Sequence, residues 1–301
     1  MFQYRLHSRK GFVLISVLIL STVLISSAVA FSWFVRLQAR TSASRLSSLT
    51  SRSAALSILN SVMNASVELG HRTDYDSPLQ RWYMPFALNV PDGGRWLVQV
   101  KPLDDKIPLR QLFLPDGNTL RTELVYTWHE LWSELEHREL ENLVLDFLDK
   151  NTRPRLGGTE RPEFVNRQPY DLSELLILSP DITPEIIERL SEYCTVYGDS
   201  KINVNVAPVE VLKLLQGLDS GGGAESIISY REERPIENTE ILRSIPGLNV
   251  GTLNRLMNII GFKSRYFEVK LERFDDDGNV MASFNIVFDR TAKIAVKWEE
   301  Y

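Results

Sequence analysis

Apolar residues follow three regimes along this chain. From Phe12 to Val35 they form a run of 24 residues without a single charge. From Arg36 to Leu69 they return at helical spacing. Leu49, Leu56 and Met63 fall on a heptad, Leu46 and Leu59 lie beside them, and Arg36, Arg40, Arg45 and Arg52 fall outside. Beyond Ser264 the period shortens to two.

The first regime exceeds the roughly 20 residues a helix needs to cross a bilayer. It is too long for the apolar core of an ordinary signal peptide, about 7–15 residues. A helix apolar on all sides wants lipid, whereas one with an apolar stripe wants a protein neighbour. Neither Gly nor Pro occurs in the 58 residues from Phe12 to Leu69, where average usage would place about seven. The two regimes are therefore predicted as one helix, about 87 Å long at 1.5 Å rise per residue.

Residues 71–95 carry Pro78, Pro85, Pro91 and Asp92-Gly93-Gly94 and read as loop. Trp96, Val98 and Val100 alternate with Leu97, Gln99 and Lys101 as a strand, and Ile107 to Phe113 reads as a second one. Residues 120–262 are mostly helical in pattern. Thr122 to Lys150 is predicted as one long helix whose aromatic stripe, including Trp128, Trp132 and Phe147, is core. A weak repeat follows. Glu174, Glu210 and Glu240 each start Glu-apolar-Leu and have an apolar residue eight positions on, at Ile182, Leu218 and Leu248. Gly217 and Gly247 precede the last two, so the unit reads as helix, tight hairpin, helix. In the third regime Phe267, Val269 and Leu271, then Phe284, Ile286 and Phe288, then Ile294, Val296 and Trp298 alternate as three strands. Asp275-Asp276-Asp277-Gly278-Asn279 between the first two is a hairpin signal. The pattern gives an α+β chain: one antiparallel sheet on the long helix, with a helical block inserted.

Composition narrows the function. The 301 residues carry a net charge of -5, which argues against a nucleic-acid partner, since that normally needs a basic face. Cys194 is the single cysteine, so no intramolecular disulfide forms. It lies in an apolar helical pattern and reads as a buried, inert thiol.

The residues before the first helix are short and basic: Arg5, Arg9, Lys10, then Gly11. The string Arg9-Lys10-Gly11-Phe12-Val13-Leu14 resembles the leader of type IV prepilins and pseudopilins. The resemblance implies a prepilin peptidase that cuts between Gly11 and Phe12 and methylates the new N-terminal Phe12, leaving the apolar segment in place. The plain alternative is a single-pass anchor that is not processed. Most members of that family carry Glu at the fifth mature position, where this chain has Ser16. A carboxylate inside a bilayer is costly unless paired, and in the family its partner is the N-terminal ammonium of the preceding subunit. A subunit without the carboxylate fits best where nothing precedes it, at a filament tip.

The rest of the chain is similar to the protein K family of type II secretion minor pseudopilins. Lys201-Ile202-Asn203-Val204-Asn205-Val206-Ala207-Pro208-Val209-Glu210-Val211-Leu212 looks like its Lys-Ile-Asn-Val-Asn-Thr-Ala-Pro-x-Glu-Val-Leu signature. Asp171-Leu172-Ser173-Glu174-Leu175 and Ile182-Thr183-Pro184-Glu185-Ile186 resemble two further segments. The likeness covers the leader, the anchor and most of residues 140–300. It implies a leader at 1–11, a transmembrane helix at 12–35, the remaining pilin helix and first strands at 36–119, an inserted helix-hairpin-helix-like (SAM-like) domain at 120–262 and the last strands at 263–301. It also implies a single pass through the inner membrane with the C-terminal part in the periplasm. Implied partners are other minor pseudopilins, the major pseudopilin, the prepilin peptidase and the inner-membrane secretion platform. The alternative with the same leader and anchor is a minor pilin of a type IV pilus or DNA-uptake system. Asn203, Asn205 and Pro208 of this signature, which also includes Glu210, are expected to organise the start of the helix near Ala207, a structural role.

No constellation points to an enzyme. His129-Glu130-Leu131-Trp132-Ser133 begins like a zinc-protease helix but has Ser133 where the second His is needed. Gly221 to Gly223 lacks the Lys-Ser or Lys-Thr of a phosphate loop and reads as a helix connection. Ile245-Pro246-Gly247-Leu248 resembles the hairpin of DNA-binding helix-hairpin-helix modules, although Glu232, Glu233, Glu237 and Glu240 surround it. Family resemblance also implies calcium in the helical domain, at Asp146, Asp149 and Glu160, with Asn151 and Thr152 standing where the family is acidic.

Overall fold

The computed structural model describes residues 7–91, 94–161, 164, 166–198, 201–219 and 221–301, with side chains from Phe12 onward. Of the leader, Arg5 lies outside the described residues, as do Asp92 and Gly93 of the early loop. The chain forms two compact units, one ending at Ala54 and one spanning Ala55–Tyr301.

Helix α1 (His7–Arg72) contains the whole stretch free of Gly and Pro, as the pattern predicts, and runs past it at both ends through Gly11 and Gly70. In the second unit it turns Ala55, Ile58, Leu59, Val62 and Ser66 inward at helical spacing. The heptad read from the sequence is a different stripe. Leu49 and Leu56 are exposed, Met63 is half-buried, and only Leu59 of the flanking residues is buried.

Five strands make an antiparallel sheet in the order β1-β2-β7-β8-β9: β1 (Phe86–Val90), β2 (Gly94–Pro102), β7 (Tyr266–Phe274), β8 (Val280–Asp289) and β9 (Ile294–Glu300). Its inner face is the period-two set: Trp96, Val98 and Val100 of β2, Phe267, Val269 and Leu271 of β7, and Phe284, Ile286 and Phe288 of β8, all buried. Register brings them together, with Val98 opposite Leu271 and Val269 opposite Ile286. The hairpin between β7 and β8 closes through Asp275, whose carboxylate accepts from the Asn279 amide at 2.7 Å. Gly278 there takes φ +88°, where a Cβ would be strained.

The sheet is interrupted where it is covalently longest. β2 leaves at Pro102 and its neighbour β7 begins at Tyr266, so everything between is an insertion. The insertion has its own core, from Ile107 to Ile260, distinct from the sheet residues. Its short strands are β3 (Ile107–Pro108) paired with β4 (Cys194–Thr195), and β5 (Ile202–Asn203) paired with β6 (Ile260–Gly261), both parallel. Its helices are α2 (Thr122–Glu134), α3 (Glu141–Leu148), α4 (Pro184–Tyr193), α5 (Val209–Lys213), α6 (Gly223–Glu233), α7 (Thr239–Ser244) and α8 (Val250–Leu256).

Two expectations are corrected here. The strand expected over 107–113 is two residues of β3 followed by a 3-10 turn at Leu109–Gln111, because Leu109, Leu112 and Phe113 are apolar for the helical core and not for a sheet face. The long helix expected over 122–150 breaks into α2 and α3. At the break the His137 amide donates to the Trp132 carbonyl and the Glu136 amide to Ser133, the paired bonds of a Schellman ending. Glu136 takes the left-handed conformation, φ 62°, that such an ending usually gives to Gly. The turn lets Trp132 and Leu140, Val144 and Phe147 all reach one core.

Candidate functional site

The apolar segment of α1 is the first candidate. It is the one helix among the described residues long and apolar enough to cross a membrane. Its large side chains point outward, with Phe12 72% exposed. Three of the hydroxyls along it are satisfied internally: Ser16 donates to the Phe12 carbonyl at 2.9 Å, Ser21 to Val17 at 2.6 Å and Thr22 to Ile19 at 2.8 Å. In hydrocarbon no water could do this, so internal pairing is what such a segment requires. Ser16 therefore brings neither charge nor a free donor to its position.

The second candidate is the junction where the insertion meets the sheet. Asn203 and Asn205, on β5 and just after it, are both buried. Asn203 accepts the Asn205 amide at 3.0 Å, a local turn of the kind expected. Its side-chain amide reaches much further, to the Asp76 carbonyl at 3.0 Å and the Ser264 hydroxyl at 2.9 Å. Asn205 makes a two-way bond to the backbone of Ile236, donating to its carbonyl and accepting its amide, both at 2.8 Å. Pro208 then precedes α5, and Glu210 sits in the first turn, where a carboxylate favours the helix dipole.

Behind Asn203 lies a pair that sequence reasoning missed. Asp76 is fully buried, and both its oxygens face the Arg290 guanidinium, at 3.0 and 2.8 Å. Asp76 also accepts from the Tyr83 hydroxyl at 3.0 Å and from the Ser264 amide at 2.8 Å. Burial first, and Asp76 second, push the Tyr83 phenol up from its ordinary pKa. Arg290 further donates to the Ser264 carbonyl and lies over the Phe267 ring. Asp104 repeats the theme, accepting the amides of Arg265 and Tyr266 at 2.7 and 2.9 Å while its carbonyl holds the Asn203 amide. Burial works against the Asp289 carboxylate, yet Arg265 and the amides of Ala292 and Thr291 keep its pKa low. The only sequence signal for this junction was the Asn203–Asn205 string; Asp76 and Arg290 are far apart in sequence and sit in no motif.

The acidic loop is the third candidate. Asp146 and Asp149 are fully buried at the end of α3, and one guanidinium, Arg155, spans them. Among the described residues no group of three or more His, Cys, Asp or Glu side chains is placed to hold a metal ion. Glu160 stands apart from the pair. Burial, then Asp149 and Asp146, raise its pKa, and one of its oxygens is buried without a hydrogen-bond partner.

The remaining motifs fall on helix faces and turns. His129 meets Glu141 at 3.0 Å, so the incomplete protease string is a helix-helix contact. Cys194 is buried, and desolvation raises its thiol well above the ordinary value. The repeat is visible as two packed hairpins, α5 to α6 and α7 to α8. Gly217 takes φ +90°, and a Cβ there would lie 2.6 Å from Thr252 of α8. Gly223 closes the other contact, between Leu218 and Leu248. Gly221 and Gly222, both at positive φ, make the connection into α6. At the tip of the second hairpin Arg243 is engaged by Asn254 at 3.2 Å.

No family model and no curated protein sequence matches this chain. A solved structure does: a chain of the GspK-GspI-GspJ complex from the type 2 secretion system of enterotoxigenic Escherichia coli, at 15% identity and TM-score 0.64. The likeness covers 88% of this chain and 99% of that one. This is the pseudopilin fold. Coverage on that scale takes in the insertion as well as the sheet, so the split between β2 and β7 is part of the likeness.

Proposed function

We propose that this chain is a minor pseudopilin of a type II secretion system, anchored in the inner membrane by Phe12–Val35 and exposed to the periplasm beyond it. One observation carries the reading: a pseudopilin fold of matching extent, insertion included, follows an apolar helix whose side chains are bare. A bare apolar helix is stable in lipid or against the equivalent helices of sister subunits. Leu46, Leu49 and Leu56, exposed beyond the membrane segment, extend that surface. GspI and GspJ accompany GspK in the solved complex, and other minor pseudopilins are the partners we assign here. The prepilin peptidase would cut after Gly11.

Ser16 supports a position at the tip. Incoming subunits bring a carboxylate that pairs with the N-terminal ammonium of the subunit before them. Ser16 spends its one donor inside its own helix, so this chain needs no predecessor. The bulk of the insertion between β2 and β7 supports the same place, since a subunit stacked above would have to clear it.

The test is genetic. Deleting the gene abolishes export of type II substrates, and the wild-type chain restores it. Ser16→Glu restores it poorly, because an unpaired carboxylate in the bilayer is costly. Intact export together with lost pili or lost DNA uptake would contradict the reading and favour a type IV minor pilin.

A further inference from the structure

The loop after α3 presents an unusual electrostatic problem. Asp146 and Asp149 are both fully buried, and two unpaired carboxylates in such a place are strongly unfavourable. Oxygen-rich loops commonly solve this with a divalent cation. Here the chain solves it with its own side chain. Arg155 Nη1 donates to Asp146 Oδ1 at 2.9 Å and to Asp149 Oδ2. The Arg155 amide faces both Asp146 oxygens at 3.1 Å, and Nη2 reaches the Asn118 carbonyl at 3.1 Å. The guanidinium is shielded by the Phe113 ring, 5.6 Å away, and the arginine side chain is only 23% exposed. Asn151 completes the shell of Asp149, donating from its amide and its side chain at 3.1 and 2.9 Å.

The fit to calcium fails on this geometry. Every one of the four Asp oxygens already accepts a hydrogen bond from the protein. A cation between the two carboxylates would have to displace a guanidinium of like charge. Glu160, the third expected ligand, does not join them. The packing is also close. A Cβ on Gly158 would fall 1.9 Å from Asp146 Oδ2, so the returning backbone lies directly against the carboxylate.

We infer that Arg155 is a built-in counter-ion that occupies the place of a divalent cation and makes this loop independent of metal. The inference rests on side-chain geometry alone and stands whether or not the chain acts in secretion. It assigns Arg155 as the residue that decides metal dependence. With the guanidinium gone, the buried Asp146 and Asp149 carboxylates are left without a counter-ion, and a divalent cation is the group that would take its place.

Thermal unfolding of the full chain in detergent, with chelator or with excess calcium chloride, tests this. Wild type unfolds at the same temperature in both, and calorimetric titration with calcium gives no saturable heat. Arg155→Ala and the bulkier Arg155→Gln unfold about 10 °C lower in chelator, the loss expected when one partner of a buried ion pair is removed, and calcium restores much of it. Saturable calcium binding by wild type, with a rise in its unfolding temperature, would overturn the inference. So would an Arg155→Gln chain that calcium leaves unmoved. If neither variant accumulates, the wild-type titration decides alone.

Discussion

Arg290→Met lowers the stability of the folded part by about 3–5 kcal/mol. The residue neutralises Asp76, which is fully buried and, among the described residues, has no other cation at hydrogen-bond distance. Removing one partner of such a pair leaves a buried charge that only protonation can relieve. Asp76→Ala is at least as damaging, because the Tyr83 hydroxyl and the Ser264 amide lose their acceptor together with Arg290. The double variant is not neutral for the same reason, although an isolated ion pair often can be replaced without loss. Urea denaturation of the full chain in detergent measures all three. A loss below about 1 kcal/mol for Arg290→Met, the range of exposed pairs, would show that the Asp76 site is open to water.

Asn205→Ala costs about 2–4 kcal/mol. Two backbone groups of Ile236, a donor and an acceptor, lose their only named partner in a buried place, and each such group costs about 1–3 kcal/mol. Asn205→Asp gives the prediction a sign in pH. A carboxylate still accepts from the Ile236 amide but faces the Ile236 carbonyl, so the folded state prefers the protonated acid and raises its pKa. The folded state then binds more protons than the unfolded one, and stability falls as pH rises. The Asn205→Asp chain is therefore close to wild type near pH 4 and weakest near pH 7 in denaturant titrations. A flat profile across that range would contradict the assigned bonds.

The sheet was largely legible because its physics is local. Trp96, Val98 and Val100, and the alternating residues from Phe267 to Phe288, carry the period of two in plain sight. The long helix was legible from what it lacks. β1 was not, because it is an edge strand with neither face fully buried and is bracketed by Pro85 and Pro91. The end of α2 was hidden for another reason: its left-handed residue is Glu136, where the sequence offers no Gly to announce a stop.

The candidate site divides in the same way. Gly11, Phe12 and Ser16 follow from a contiguous string, and Asn203 and Asn205 from another. The Asp76–Arg290 pair and the Arg155 bridge depend on folding that brings distant or unremarkable residues together, so no spacing could reveal them. The acidic loop shows the limit most clearly. Asp146, Asp149 and Glu160 are calcium ligands only as the family resemblance implies, while the residue that alters the chemistry, Arg155, looks like one more surface arginine in the sequence.

Mass spectrometry of the native protein from isolated membranes tests the central claim most directly. The account predicts a chain beginning at Phe12, carrying one added methyl group at its N-terminus and held in the inner-membrane fraction. A soluble periplasmic chain without residues 12–35 would contradict it.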